Sequence, residues 1–254
     1  LIDLSTLSLK NKKSNYILMK KKLAVVIPFY NEEKSILRVV DEWISILNTK
    51  SMDLILINDG SVDNSLKVLK KIKKKYKNLI IINKKNGGHG SAIIKGYSFA
   101  VKKAYSFVFQ TDSDEQFISK NFLKIWNQKN KKFDLILGNR KIRNDPLIRI
   151  FLSRFILNPF LRSYFGKKTI DPNIPYRLID INFLKRFLAT INKNYVAPNI
   201  LMTLFSKKNH SIDIDHFHRK TGELSWSIIR LFKFGLKLLL DLNDYKKKLK
   251  LHLK

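Results

Sequence analysis

The sequence contains no cysteine. Disulfides, thiolate catalysis and zinc–thiolate centres are excluded with it, and an intracellular location is compatible with that absence. Long apolar runs are missing too. The longest uncharged stretch, residues 194–206, falls short of the roughly 18 apolar residues that a membrane span needs. Carboxylates are scarce: 20 Asp and Glu stand against 50 Lys and Arg, a formal net charge of +30. Such a chain favours anionic partners, whether nucleic acid, phosphorylated small molecules or the inner leaflet of a membrane. Nucleic acid has the least support, because no helix-turn-helix spacing, RNP-like strand or zinc pattern is present. Much of the excess is Lys dispersed among Asn and Ile, which a genome-wide compositional bias produces equally well. Residues 1–18 lack the continuous apolar core and small-residue cleavage site of a signal peptide. Met19 and three lysines directly precede the first strong strand, so residues 1–18 are expected to be an extension, disordered or non-native, outside a domain starting at Met19.

What is present is an alternation of elements. Residues 23–28 form a β-branched run stopped by Pro28, and a helical pattern follows the turn at residues 29–33 and runs to about Leu47. Apolar runs at 52–57, 79–82 and 105–110 predict three more strands, each leading through a polar turn into a helix. Strands alternating with helices make a largely parallel sheet with right-handed crossovers, with every strand-to-helix loop at one edge. That topology brings Tyr30, Glu32, Asp59, Asn86, Asp112 and Asp114 together.

The stretch Thr111-Asp112-Ser113-Asp114-Glu115-Gln116 leaves the fourth strand at its carboxyl end, where open α/β sheets bind ligands. Two carboxylates one residue apart can share a hard divalent cation whose shell is completed by water and phosphate oxygens. The pair suggests a metal-bound diphosphate. Solvated turn formers would look the same in isolation. The glycine-rich stretch at 86–92 is neither a phosphate-binding P-loop nor a dinucleotide fingerprint, and reads as a phosphate cradle or as a turn needing positive φ.

Taken together, Pro28-Phe29-Tyr30-Asn31-Glu32, Asn58-Asp59-Gly60-Ser61, Asn86 with Gly88, Gly90 and Gly96, and Asp112-Ser113-Asp114 with Gln116 resemble family 2 glycosyltransferases of the GT-A fold. Within that family they look most like the branch of dolichyl-phosphate mannose synthase and bacterial polyprenyl-phosphate sugar transferases. The resemblance is strong over about 23–140 and looser beyond. It implies a nucleoside pocket lined by Pro28, Tyr30 and Glu32, with Asp59 on the base or ribose and Asn86 and Gly90 beside the donor. It places Asp112, Ser113, Asp114 and Gln116 at the sugar diphosphate, with Asp112, Asp114 and Gln116 around Mg²⁺ or Mn²⁺. The implied reaction is inverting transfer from a UDP- or GDP-sugar to a polyprenyl phosphate or, alternatively, to a saccharide hydroxyl. A catalytically degenerate basic membrane- or nucleic-acid-binding protein is the rival of another class; retention of both Asp112 and Asp114 argues against it.

In the second half, a strand at 133–138 delivers Arg140, which the resemblance places at the donor phosphates. Arg219 is carried over in the same role. Asp171 and Arg177 occupy the family's acidic and basic positions, although Pro175-Tyr176 replaces its usual Gly-Phe turn, and Arg177 is a catalytic candidate. Asp145 and Asp171 are the nearby carboxylates if a hydroxyl acceptor requires a base. His216 and His218 read as a solvated strand end rather than a metal site. Residues 148–165 form an apolar segment that carries Arg149, Arg154 and Arg162 and is broken by Pro159, suited to a core or to a membrane surface. Residues 19–220 are expected to be the catalytic domain, and 221–254 an amphipathic helix over 227–242 followed by a Lys-rich tail. That extension suits peripheral attachment to a cytoplasmic leaflet or docking on the domain.

Overall fold

The computed structural model describes residues 23–47, 51–117, 119–140, 147–167, 169, 171–217 and 228–252. Seven strands form one sheet: β1 (Leu23–Phe29), β2 (Met52–Asn58), β3 (Leu79–Asn83), β4 (Phe107–Thr111), β5 (Leu135–Arg140), β6 (Tyr176–Asp180) and β7 (Asn209–Ile214), in the order β3-β2-β1-β4-β6-β5-β7. The four parallel strands expected from the alternation are present, as is the expected fifth. β6 lies between β4 and β5 and runs antiparallel to both. β1 is buried along its whole length, which is why it reads as a continuous apolar run rather than an alternating one.

The strand order reverses between β1 and β4. Their ladder ends at Val26↔Gln110, two residues before Pro28, which has no N–H to offer a neighbour. The sheet therefore opens beyond Val26, at a topological switch point.

Helices cover both faces. On one, Phe109 packs 5.6 Å from Trp43 of α1 (Ile36–Ile46) and 4.9 Å from Phe122 of α4 (Lys120–Trp126). α2 (Ser65–Lys73) joins β2 to β3. Side chains alternate along a strand, so Gln110, the next residue, faces the opposite layer. There α3 (His89–Lys102) lies against β1 and β2, with α7 (Ile181–Thr190) and α8 (Pro198–Phe205) beside it. Gly96 permits this approach, since a Cβ on it would sit 2.4 Å from Val26 Cγ1.

Two helical segments carry exposed apolar residues. α5 (Leu147–Phe151) continues through a π-helical stretch (Leu152–Leu157) into α6 (Asn158–Phe165). Pro159 does not break the helix as its sequence suggests; it is the second residue of α6, directly after the π-helical stretch. Ile148, Phe151, Phe155 and Ile156 are all exposed along this segment. α9 (Ile228–His252) runs ten residues past the expected end at Leu242. It docks on the domain through buried Leu238, Leu242 and Tyr245, while Asp241 accepts a hydrogen bond from the Val196 N–H at 2.8 Å. Phe232, Leu236, Leu239 and Leu240 remain exposed. The Tyr164 hydroxyl donates to Asn243 Oδ1 at 3.0 Å and Lys246 Nζ to the Tyr164 carbonyl at 2.7 Å, tying the two segments together. The basic tail is therefore largely helical and partly packed.

Candidate active site

The carboxyl ends of β1 and β2 give two loops that side chains knit together. Asn31 adopts φ 54°, a left-handed conformation that Asn tolerates. Its N–H donates to Ser61 Oγ at 3.0 Å, and its Oδ1 accepts from the Val62 N–H at 2.9 Å. Buried Asn58 organises the second loop: its Oδ1 accepts from Ser61 N and Oγ, and its Nδ2 donates to Asn83 Oδ1 at 2.7 Å. Glu32 is nearly buried, its N–H donating to Ser65 Oγ at 2.9 Å while Ser35 Oγ donates to its carboxylate at 2.5 Å. Beside this framework Pro28 is buried and Tyr30 is 46% exposed, leaving an aromatic ring open to a ligand.

Asp59 holds the glycine-rich loop. Its two oxygens accept from the N–H groups of Gly87 at 3.0 Å and Gly88 at 2.8 Å, and Lys84 Nζ pairs with it. Gly60 has φ +72°, and a Cβ there would meet the Asn86 nitrogen at 2.6 Å, so only glycine lets these loops touch. Gly88, at φ +87°, precedes α3. Asn86 is exposed beside it. Gly90 has a packing reason of its own: a Cβ would lie 2.4 Å from the Tyr195 carbonyl oxygen.

The acidic turn closes the edge. Asp112 Oδ1 accepts from Gln110 Nε2 at 3.2 Å, and His89 Nε2 lies 3.4 Å away. The first residue of α3 thus reaches Asp112 although its side chain is 53% exposed. Ser113 is buried, and Asp114 Oδ1 accepts from the Gln116 N–H at 3.2 Å. Glu115 is held at φ 58° and gripped by Arg38 through two hydrogen bonds of 3.0 and 2.8 Å. Gln116 turns towards Phe217: its Nε2 donates to the Phe217 carbonyl at 3.3 Å and its own carbonyl accepts from the Phe217 N–H at 2.9 Å. Its side-chain nitrogen therefore meets this backbone, while its own backbone N–H meets Asp114.

The donor set fits a hard cation. Asp112 and Asp114 offer carboxylate oxygens from one turn, and among the described residues no third His, Asp or Glu completes a protein-only cage. Mg²⁺ or Mn²⁺ in such a site takes its remaining ligands from water and phosphate oxygens.

Residues 24–190 match the family described as glycosyl transferase family 2. The chain belongs to that family. It is 27% identical over 223 residues to an undecaprenyl-phosphate 4-deoxy-4-formamido-L-arabinose transferase of Photorhabdus laumondii, covering 86% of this chain and 67% of that protein. It is 30% identical over 202 residues to an uncharacterized Methanocaldococcus jannaschii protein, MJ0544, covering 75% and 84%. In fold it matches glucosyl-3-phosphoglycerate synthase of Mycobacterium tuberculosis, solved with Mn²⁺ and UDP-glucose, at TM-score 0.63 and 14% identity over 91% of this chain and 82% of that one. It also matches Staphylococcus aureus TarS with UDP-GlcNAc at TM-score 0.58 and 19% identity, over 88% and 66%. The architecture is GT-A, and the chain is a glycosyltransferase.

The remaining candidates of this glycosyltransferase fall in three places. Arg140, expected at the donor phosphates, is nearly buried against equally buried Asp171, with Nε and Nη2 2.7 and 2.6 Å from its Oδ2. Arg177 is fully buried. It donates to the carbonyls of Ile174 at 2.9 and 2.5 Å, Asn199 at 2.9 Å and Pro172 at 3.3 Å, so it shapes the 171–176 turn rather than facing an open groove. Burial pulls its pKa down to about 10, opposed by nearby Tyr97, Asp171 and Asp112. Arg219, His218 and Asp145 lie outside the described residues. His216 is not solvated as expected: it is buried with its ring 5.0 Å from Phe117. Sequence reasoning did not single out Gln110, Asn199, Lys84 or Arg38. A glutamine inside an otherwise apolar buried strand was the one available signal.

Proposed function

We propose that this glycosyltransferase moves a sugar, with inversion, from a nucleoside-diphosphate sugar to a polyprenyl phosphate at the cytoplasmic face of a membrane. The observation that carries the acceptor assignment is the apolar surface of two linked helical segments: Ile148, Phe151, Phe155 and Ile156 on one, Phe232, Leu236, Leu239 and Leu240 on the other. Among the described residues no helix is long and apolar enough to cross a membrane, so these residues suit attachment to a bilayer surface. An open cleft of about 530 Å³ lies on the first segment, lined by Arg154, Asn158, Pro159, Arg162, Ser163 and Thr169. Its guanidinium groups are suited to anionic headgroups. The named arabinose transferase points to the same acceptor class, though the chain spans only about two thirds of it.

In this reading Tyr30, Glu32 and the loop held by Asp59 take the nucleoside, and Asp112 and Asp114 hold Mg²⁺ or Mn²⁺ against the diphosphate. The cation supplies neutralisation of charge that develops on the leaving group. A phosphate oxygen of the acceptor attacks the anomeric carbon, the bond from that carbon to the diphosphate oxygen breaks, and the nucleoside diphosphate leaves with the electron pair. An acceptor oxygen that is already anionic requires no base, in keeping with the pairing of Asp171 to Arg140. Arg219 remains a candidate for the donor phosphates. The UDP-sugars bound by the structural neighbours favour a uridine donor.

A panel of radiolabelled nucleotide sugars, incubated with membranes and extracted into organic solvent, tests this. Label is expected in a mild-acid-labile lipid. Label confined to water-soluble saccharide refutes the lipid acceptor.

A further inference from the structure

Asp112 is the end of a buried chain of hydrogen bonds with one direction. The Tyr97 hydroxyl donates to Asn199 Oδ1 at 3.3 Å, Asn199 Nδ2 donates to Gln110 Oε1 at 3.1 Å, and Gln110 Nε2 donates to Asp112 Oδ1 at 3.2 Å. Tyr97 and Gln110 are fully buried and Asn199 is 3% exposed. These residues come from α3, β4 and α8, and the sheet register explains their meeting. Gln110 faces the helix layer that holds α8, and Arg177, its partner across β4 and β6, donates to the Asn199 carbonyl at 2.9 Å.

An amide side chain can be turned either way, so something must fix its polarity. Here the Asp112 carboxylate does, because it can only accept. Gln110 therefore presents its N–H to Asp112 and its oxygen to Asn199, and Asn199 presents its oxygen to the Tyr97 hydroxyl. Burial pushes the Tyr97 pKa well above its ordinary value, opposed by Arg177 and aided by the charge of Asp112, so the group stays protonated and able to donate there. In a dry setting each bond polarises the next. The chain thus delivers a donor to the carboxylate and fixes its orientation.

We propose that Asn199 is a positioning residue which, through Gln110, orients the Asp112 carboxylate for a divalent cation and the donor diphosphate; this rests on the reading of Asp112 as a cation ligand. An Asn199→Asp substitution keeps the shape and reverses the chain. The new carboxylate accepts from Tyr97 and demands a donor from Gln110, whose amide then turns its oxygen towards Asp112.

The experiment measures Mn²⁺ affinity of the full chain in the presence of UDP, from the electron paramagnetic resonance signal of free Mn²⁺, with a circular-dichroism melt for each variant. Asp112→Asn is expected to abolish tight binding; binding like the parent's sinks the ligand reading and the proposal with it. With that control in place, Asn199→Asp is expected to weaken Mn²⁺ binding about ten- to a hundredfold, the range for residues supporting a metal ligand. In a Gln110→Met background the same change is expected to add almost nothing. Parent-like affinity in Asn199→Asp, or an equal further loss in the Gln110→Met background, overturns the proposal. Should Asn199→Asp not fold, Asn199→Ala decides: it removes the donor to Gln110 Oε1, frees that amide to turn and is expected to weaken Mn²⁺ binding several-fold, and no change overturns the proposal.

Discussion

Replacing Arg177 by Met separates a group that shapes the fold from one that serves the substrate. The guanidinium satisfies three buried carbonyls, those of Pro172, Ile174 and Asn199. Thr203 Oγ1 also donates to the Pro172 and Asn199 carbonyls, so the change orphans chiefly that of Ile174, at a cost of about 1–3 kcal/mol. Methionine also removes a buried charge, which offsets part of that cost. The net loss is about 1–2 kcal/mol, which lowers the melting temperature of a domain this size by about 2–8 °C. A circular-dichroism melt at neutral pH, beside transfer assays well below the transition, gives both readouts. Arg177→Lys retains the charge but serves fewer carbonyls and is expected to fall between. A melting temperature within about 2 °C of the parent with transfer abolished would refute the argument and return Arg177 to the substrate.

Gly90→Ala places a Cβ against two backbone carbonyls that cannot swing aside, 2.4 and 2.7 Å away, and is expected to cost about 1–3 kcal/mol in a denaturant melt. Leu236 and Leu239 are 49% and 47% exposed, so changing both to Glu is expected to leave the melt unchanged and release the protein from anionic vesicles in a sedimentation assay. Loss of fold instead would show that α9 buries that face. Burial pushes the Asp63 carboxyl up, but hydrogen bonds from the Ser65 side chain, the Ser65 N–H and the Glu33 N–H outweigh it and hold the group below the usual range. A depressed carboxylate contributes stability above its unfolded pKa and loses it as pH falls through the folded one. The advantage of the parent over Asp63→Asn is therefore expected at about pH 6 and gone by about pH 2 in paired melts.

The first four strands were legible because each apolar run gives way to a polar turn, as after Asn58 and Thr111, although β1 runs through Pro28, where it was expected to stop. β6 was not. Arg177 is the second residue of a five-residue interior strand, and a charged residue there disguises a segment buried at four of its five positions. β7 is an edge strand, polar at four of its six positions and mostly exposed. The Lys-rich end of α9 looks like a solvated tail, yet Lys246 sits 3.5 Å from the Tyr164 ring centre and Lys248 5.2 Å from that of Tyr195. Within the site, the loops of the first half could be gathered from topology alone. The Arg140–Asp171 pair and the Gln110–Asn199 contact join residues 31 and 89 positions apart, and no local pattern announces them. The burial of His216 likewise depends on a distant ring, that of Phe117.

The reversed direction of β6 has a consequence for how this enzyme can diversify. β5 ends at the same edge of the sheet at which β6 begins, so the chain departs at Arg140 and returns at Tyr176 on one edge, and the Arg140–Asp171 pair clasps the two ends of the excursion. The exposed positions between, among them Ile148, Phe151, Phe155 and Ile156, can change while every strand keeps its register and the loops at the switch point keep their places. On the proposed acceptor reading, acceptor choice can thus drift in a lineage independently of the chemistry beside it.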